Sequence, residues 1–208
     1  MIDTENFLLF VGLSWVLIVT PGPDLIYVLT RGIASGRKAG LVSAVGVTLG
    51  ILVHTIFAAL GLSLILQTSA EAFLMVKLIG AGYLVYLGVK TLMSKQELTL
   101  GSEQQSSTRK IFWQGLVSNT LNPKVALFFI AFLPQFIQTN GTEISPLPFL
   151  ILGSVFACFT LIFLAILGHF SGAVGHYLKT RAIVSKWIQY VSGLVMILLG
   201  IRLALTKK

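Results

Sequence analysis

The sequence predicts an all-α integral membrane protein with six transmembrane helices. They form two inverted three-helix repeats, with helices 1 and 4 broken. Three observations predict this. The 208-residue chain is 55% hydrophobic and only 11% charged, with a mean hydropathy of +0.90, whereas soluble domains carry about 25% charged residues. Its apolar residues fall into six runs, at roughly 7–30, 40–66, 72–93, 111–137, 147–170 and 187–206. Each approaches or exceeds the ~20 residues a helix needs to cross the hydrocarbon. Finally, the basic residues concentrate in every second connection.

The N-terminus, Met-Ile-Asp-Thr-Glu, lacks a basic n-region, so the first run reads as a span and not as a cleaved signal peptide. Arg31, Arg37 and Lys38 follow the first run. Lys90, Lys95, Arg109 and Lys110 flank the third connection, and Lys179, Arg181 and Lys186 the fifth. The other connections hold only acids, Asp3 and Glu5 before run one, Glu71 after run two and Glu143 after run four. Basic loops stay cytoplasmic, which places the N-terminus outside. Six spans then put Lys207 and Lys208 outside as well. This tail is either a tolerated exception or the mark of a re-entrant segment, and five consistent loops favour the exception. The net charge of +8 is thereby a topology signal and no nucleic-acid footprint. The single cysteine, Cys158, excludes an intrachain disulfide and reads as a small buried core residue.

Ser94 to Lys110 is the longest polar stretch. It divides the chain into a first repeat over 1–93, a cytoplasmic linker over 94–110 and a second repeat over 111–208. Three spans per half is an odd number, so the halves enter the membrane from opposite sides, the geometry of an inverted repeat. The leading helices of the halves therefore correspond. The first carries Thr20-Pro21-Gly22-Pro23-Asp24 and the fourth Asn119-Thr120-Leu121-Asn122-Pro123-Lys124. Proline removes an N–H and clashes with the preceding turn. Lipid supplies no water for the freed carbonyls, so such breaks are tolerated only against protein or a wet cavity. Paired broken helices in corresponding positions point to a midplane site of a secondary transporter.

Asp24 and Lys124 are the ionisable groups beside these breaks. A charge at mid-depth costs about 2.5–3.5 kcal/mol on insertion scales and marks pathways. The two face each other as a helix-locking ion pair, or face a substrate. Asn119 and Asn122 supply amides beside the second break, and Thr20 and Ser14 hydroxyls beside the first. His54 is a candidate for proton movement because imidazole titrates near neutrality, or else a hydrogen-bonded core histidine. Lys77 is read near the outer end of span three, where its stem can snorkel, and Arg202 likewise in the last turn of span six. Trp113, Trp187, Tyr177 and Tyr190 read as interfacial anchors. Gly46/Gly50 and Gly168/Gly172 have the spacing of close helix packing, within the chain or in a homo-oligomer. Gly40–Ser43 resembles Gly115–Ser118, a similarity attributed to the common look of cytoplasmic helix entries.

At Pro21-Gly22-Pro23-Asp24 and Asn122-Pro123-Lys124 the chain resembles the lysine-exporter (LysE/RhtB) family of bacterial amino-acid exporters. Gly80 to Gly88 and Leu133-Pro-Gln-Phe136 agree with it. The resemblance implies a multi-pass inner-membrane secondary transporter that exports amino acids or close derivatives. It further implies proton-gradient drive, no cofactor, and a pathway lined by Pro21, Gly22, Pro23, Asp24, Asn122, Pro123 and Lys124. Many members carry Asn where this chain has Asp24. Two other readings were weighed. A divalent-cation transporter needs several oxygen ligands, and only Asp24 is available at mid-depth. An intramembrane enzyme using Ser43, Ser118, His54 or His169 lacks a nucleophile–base motif.

Overall fold

A computed structural model describes residues 3–62, 70–93, 106–137, 145–180 and 182–205. All regular structure among them is helical: α1 Thr4–Val19, α2 Pro23–Ser35, α3 Arg37–Phe57, α4 Ala70–Met93, α5 Thr108–Thr120, α6 Pro123–Leu127, α7 Leu147–His169, α8 Ser171–Thr180 and α9 Ala182–Leu205. A π-helical turn, Ala58–Leu62, extends α3, and α6 continues as a π turn, Phe128–Phe132, and a 3₁₀ turn, Leu133–Phe136. Among the described residues, four helices are long and apolar enough to cross a membrane. The pairs α1/α2 and α5/α6 bring the number to six if each bent pair is one span.

Each bend follows from proline chemistry. Thr20, Gly22 and Asn122, the residues preceding Pro21, Pro23 and Pro123, are extended, because a proline's Cδ excludes the α region from the residue before it. Pro23 and Pro123 each sit in the first turn of a new helix, where the missing N–H costs nothing. The axes turn by 50° at the first break and 44° at the second. The 16-residue α1 and 13-residue α5 span about 24 and 20 Å at 1.5 Å per residue before the chain bends. Gly36 closes the turn between α2 and α3 at φ 83°, a conformation that favours glycine.

Helix α3 is the central post. It packs along α5, α7 and α2. Close approaches give the directions. Gly46 meets Phe112, Ser43 meets Gly115 and Gly50 meets Leu116 and Asn119, so α3 and α5 run parallel. Gly40 meets Gly168 and Thr55 meets Gly153, so α7 runs antiparallel to α3. The partner that Gly46, Gly50 and Gly168 were expected to find is thus another helix of the same chain. The Gly40/Gly115 similarity also acquires a consequence, since both glycines admit a neighbouring backbone. Helices α4 and α9 pair antiparallel through Gly88/Gly193 and Ala81/Gly200 and pack mainly on each other.

Three expectations are corrected. Cys158 is exposed, on the outward face of α7, so it is not a core residue. Lys77 is buried, two turns into α4, so it is not at a helix end. The connection between spans five and six contains the helix α8, whose glycines and polar residues hid it. Ser171 at its start is buried against Gly32 of α2. Trp113, Trp187, Tyr177, Tyr190 and Arg202 are exposed, as anchors require. Most of the polar stretch over 94–110 lies outside the described residues.

A Cβ on Gly40 would lie 2.6 Å from the Gly168 carbonyl oxygen, whereas one on Gly82 meets nothing within 4 Å. Gly40→Val is therefore expected to destabilise the protein by about 1–3 kcal/mol, the usual cost of overpacking. Gly82→Ala should leave stability unchanged or raised. Thermal unfolding in detergent checks both, and equal midpoints for the two variants would contradict the packing described.

Candidate functional site

The two breaks meet. Asp24, in the first turn of α2, receives on one carboxylate oxygen, Oδ2, the Nδ2–H of Asn119 at 3.0 Å and that of Asn122 at 2.8 Å. Asn122 has a second task. Its Oδ1 caps α6 by accepting the Lys124 backbone N–H at 3.0 Å, one of the donors a helix start leaves open. Asn119 and Asn122 are almost wholly buried, so their amides are fixed by these bonds.

Lys124, also buried, sends its Nζ across to the carbonyl of Thr20 at 2.6 Å. Thr20 ends α1 and its carbonyl has no partner in that helix. The Thr20 hydroxyl turns back on Val16 at 2.6 Å. Asp24 and Lys124 thus line one cavity, but the locking ion pair considered from the sequence is not among the described contacts. The carboxylate is held by amides and the ammonium by a carbonyl. Gly22 sits against the Lys124 stem. A Cβ there would meet Nζ at 3.4 Å, an ordinary van der Waals contact. Pro21 is half-buried in the break, while Pro23 and Pro123 are exposed. His54, from α3, lies one hydrogen bond beyond, with Nε2 3.1 Å from the Asn119 carbonyl oxygen.

The cavity between these groups measures about 30 Å³, room for a water molecule and far below the roughly 300–1,000 Å³ of ligand pockets. Thr20, Gly22, Asp24, Lys124 and Thr160 make its polar side, and Leu17, Ile18, Leu25, Ile51, Val125, Phe156 and Leu164 the rest. Asp24 Oδ1 and Asn119 Oδ1 are buried and have no hydrogen-bond partner among the described residues. A larger, almost wholly apolar cavity of about 700 Å³ lies between α1/α2, α7 and α9, and Thr20 and Leu25 line both.

Toward the basic loops, Tyr27 donates its hydroxyl to the Ile111 carbonyl at 2.6 Å. Arg31 reaches Gln114 Oε1 at 2.9 Å and Ser106 Oγ at 3.3 Å, with its guanidinium over the Tyr27 ring. These bonds tie α2 to α5. Toward the other face Phe156, which lines the cavity, stacks on Phe128 at 4.9 Å, and Phe10 meets Phe136 edge-on at 5.4 Å. Sequence reading missed the Arg31–Gln114 contacts. Arg31 was counted as a loop charge, yet it lies within α2 and is buried.

Among the described residues, no group of three or more His, Cys, Asp or Glu could hold a metal ion. The enzyme candidates do not converge. Ser43 bonds back to Ala39 within α3, and His169 lies at the end of α7 against Phe170.

The fold and the paired breaks define a polytopic helical membrane protein with a polar site between two bent spans. A family model described as "LysE type translocator" matches residues 15–207, and the chain belongs to that family. Similar proteins include a leucine efflux protein of Enterobacter sp. (strain 638), 35% identical over 96% of this chain and 95% of its own. A leucine efflux protein of Salmonella typhimurium is 30% identical over 90% of this chain and 89% of its own. The uncharacterized membrane protein YrhP of Bacillus subtilis is 29% identical over 97% of this chain and its whole length. No solved structure matches.

Asn122→Ala removes both the α6 cap and a donor to Asp24. A lost cap costs about 0.5–2 kcal/mol and a lost bond to a charged group about 1.5–3 kcal/mol, so a stability loss of roughly 2 kcal/mol or more is expected. Asn122→Ser keeps a capping oxygen and should fall between. Chemical unfolding in detergent measures this series, and an Asn122→Ala variant as stable as the parent would contradict the double role.

Proposed function

We propose that the protein exports a neutral aliphatic amino acid, leucine or a close relative, from the cytoplasm across the bacterial inner membrane. One observation carries this reading: an acid and a base, one from each broken span, line the same cavity. An amino acid is a zwitterion. Asp24 Oδ1, left without a protein partner, suits its ammonium. Lys124 Nζ and the N–H groups that open α2 suit its carboxylate, as helix starts do for anions. Apart from Gly22 and the threonines Thr20 and Thr160, the remaining lining is aliphatic or aromatic and carries no further charge, which favours an apolar side chain. The two leucine efflux relatives support the same substrate class.

In this reading residues 1–93 and 111–208 are inverted repeats, the N-terminus faces outward, and the Arg31–Gln114 and Tyr27–Ile111 contacts close the cytoplasmic mouth. The parallel course of α3 and α5, which are the second helix of one half and the first of the other, supports that arrangement. The cavity is too small for the substrate, so the closed state must widen. Export is driven by the proton gradient, with Pro21, Gly22, Pro23, Asp24, Asn119, Asn122, Pro123 and Lys124 along the pathway and His54 beside it.

Everted vesicles bearing the protein should accumulate leucine when energised and lose it on adding a protonophore. Lysine and aspartate should be carried poorly. Asp24→Asn and Lys124→Ala should each lower the leucine rate by about 10- to 100-fold, the worth of a bond to a charged group, while still inserting. A broad amino-acid panel with no gradient-dependent uptake would sink the reading, and undiminished transport by both variants would move the site elsewhere.

A further inference from the structure

His54 belongs to neither break, yet it completes one of them. In an unbroken helix the Asn119 carbonyl would accept from the N–H of residue 123. Residue 123 is proline and has none. The Asn122 N–H closes a tighter turn onto that carbonyl at 2.8 Å, using one of its two lone pairs. His54 Nε2 stands 3.1 Å from the same oxygen. A carbonyl only accepts, so Nε2 carries the hydrogen. The ring is held for this bond, since it is buried and lies against Phe129 with centroids 5.9 Å apart. The residue so fixed is the one whose side-chain amide donates to Asp24 at 3.0 Å.

We infer that His54 is a positioning residue of the substrate site. As an Nε2–H donor it anchors the main chain of Asn119 and so aims the Asn119 amide at the Asp24 carboxylate. It does not carry the coupling proton. The inference rests on the exporter reading for its transport readout. It also explains why a polar ring stands on an α3 face otherwise packed through glycines. Where the second break's carbonyl meets a donor from the first half, the first break's Thr20 carbonyl meets Lys124 from the second half. Each broken span is thus completed from the other half.

The test compares His54→Gln, whose amide can donate to the same carbonyl but cannot titrate, with His54→Leu, which cannot donate. Leucine flux into everted vesicles and thermal unfolding of the purified protein are measured for both. His54→Gln should retain the parent's maximal rate and KM within about threefold, and His54→Leu should raise KM by about tenfold or more, the effect of a displaced binding group. A His54→Gln protein that folds but does not transport, or that fails to fold, overturns the inference. So does a His54→Leu protein that transports like the parent. If the parent itself moves no amino acid, the exporter reading fails and unfolding still decides the role of His54: His54→Gln should melt with the parent and His54→Leu clearly below it, and equal midpoints for the two variants overturn it.

Discussion

The structure depends on one constraint: in lipid, a backbone carbonyl freed by a proline must find a protein donor. Pro21, Pro23 and Pro123 each remove the N–H that the carbonyl four residues before would accept in a continuous helix. Two of the carbonyls at these breaks are met from across the molecule, Thr20 by Lys124 and Asn119 by His54, the latter beside the local Asn122 N–H. The breaks are consequently held face to face, and the polar side chains that satisfy them are the ones available to bind a polar solute. The same chemistry that makes a broken span tolerable also builds the site.

Everything around the breaks serves close approach. Gly46 and Gly50 let α3 lie against α5 with backbone contact, and Gly40 and Gly168 do the same for α3 and α7. Without a hydrophobic drive between helices in lipid, such contacts and interhelical bonds hold the bundle. Different chemistry lies on the two sides of the site, a guanidinium and a phenol bonded to polar groups on one and packed phenylalanines on the other. The two π turns, Ala58–Leu62 and Phe128–Phe132, lie on the aromatic side. Such turns recur at functional sites, and here the second places Phe128 against Phe156, which lines the cavity.

Much of this was legible in the residues. The six apolar runs and both breaks fall where the helices show them, because proline chemistry is local and hydropathy is summed over a whole span. Asp24, Asn119, Asn122 and Lys124 come together as their placement beside the breaks required. Their partners were not legible. An acid and a base at equal depth invite an ion pair, but which donors reach Asp24 depends on helix rotation, and rotation is decided by the glycine contacts. His54 carried a readable signal: Asn119 lies four residues before Pro123, so its carbonyl loses the helical donor, and His54 adds to the Asn122 N–H that replaces it. Arg31, Lys77 and Cys158 were misplaced because charge and hydropathy give depth along a helix and say little about which face a residue takes. Helix α8 was hidden by its glycines and its short length.

The central claim is that the Asp24–Lys124 cavity, lying between the two broken spans, is where the substrate sits. Thr160 lines it from α7, and Thr160→Cys is close to isosteric. In a Cys158→Ser background, the rate at which a membrane-impermeant thiol reagent modifies Cys at this position can be followed with and without leucine. The account predicts modification that leucine slows at concentrations that saturate transport. Modification at a rate leucine does not alter, in a protein that still transports leucine, would contradict it.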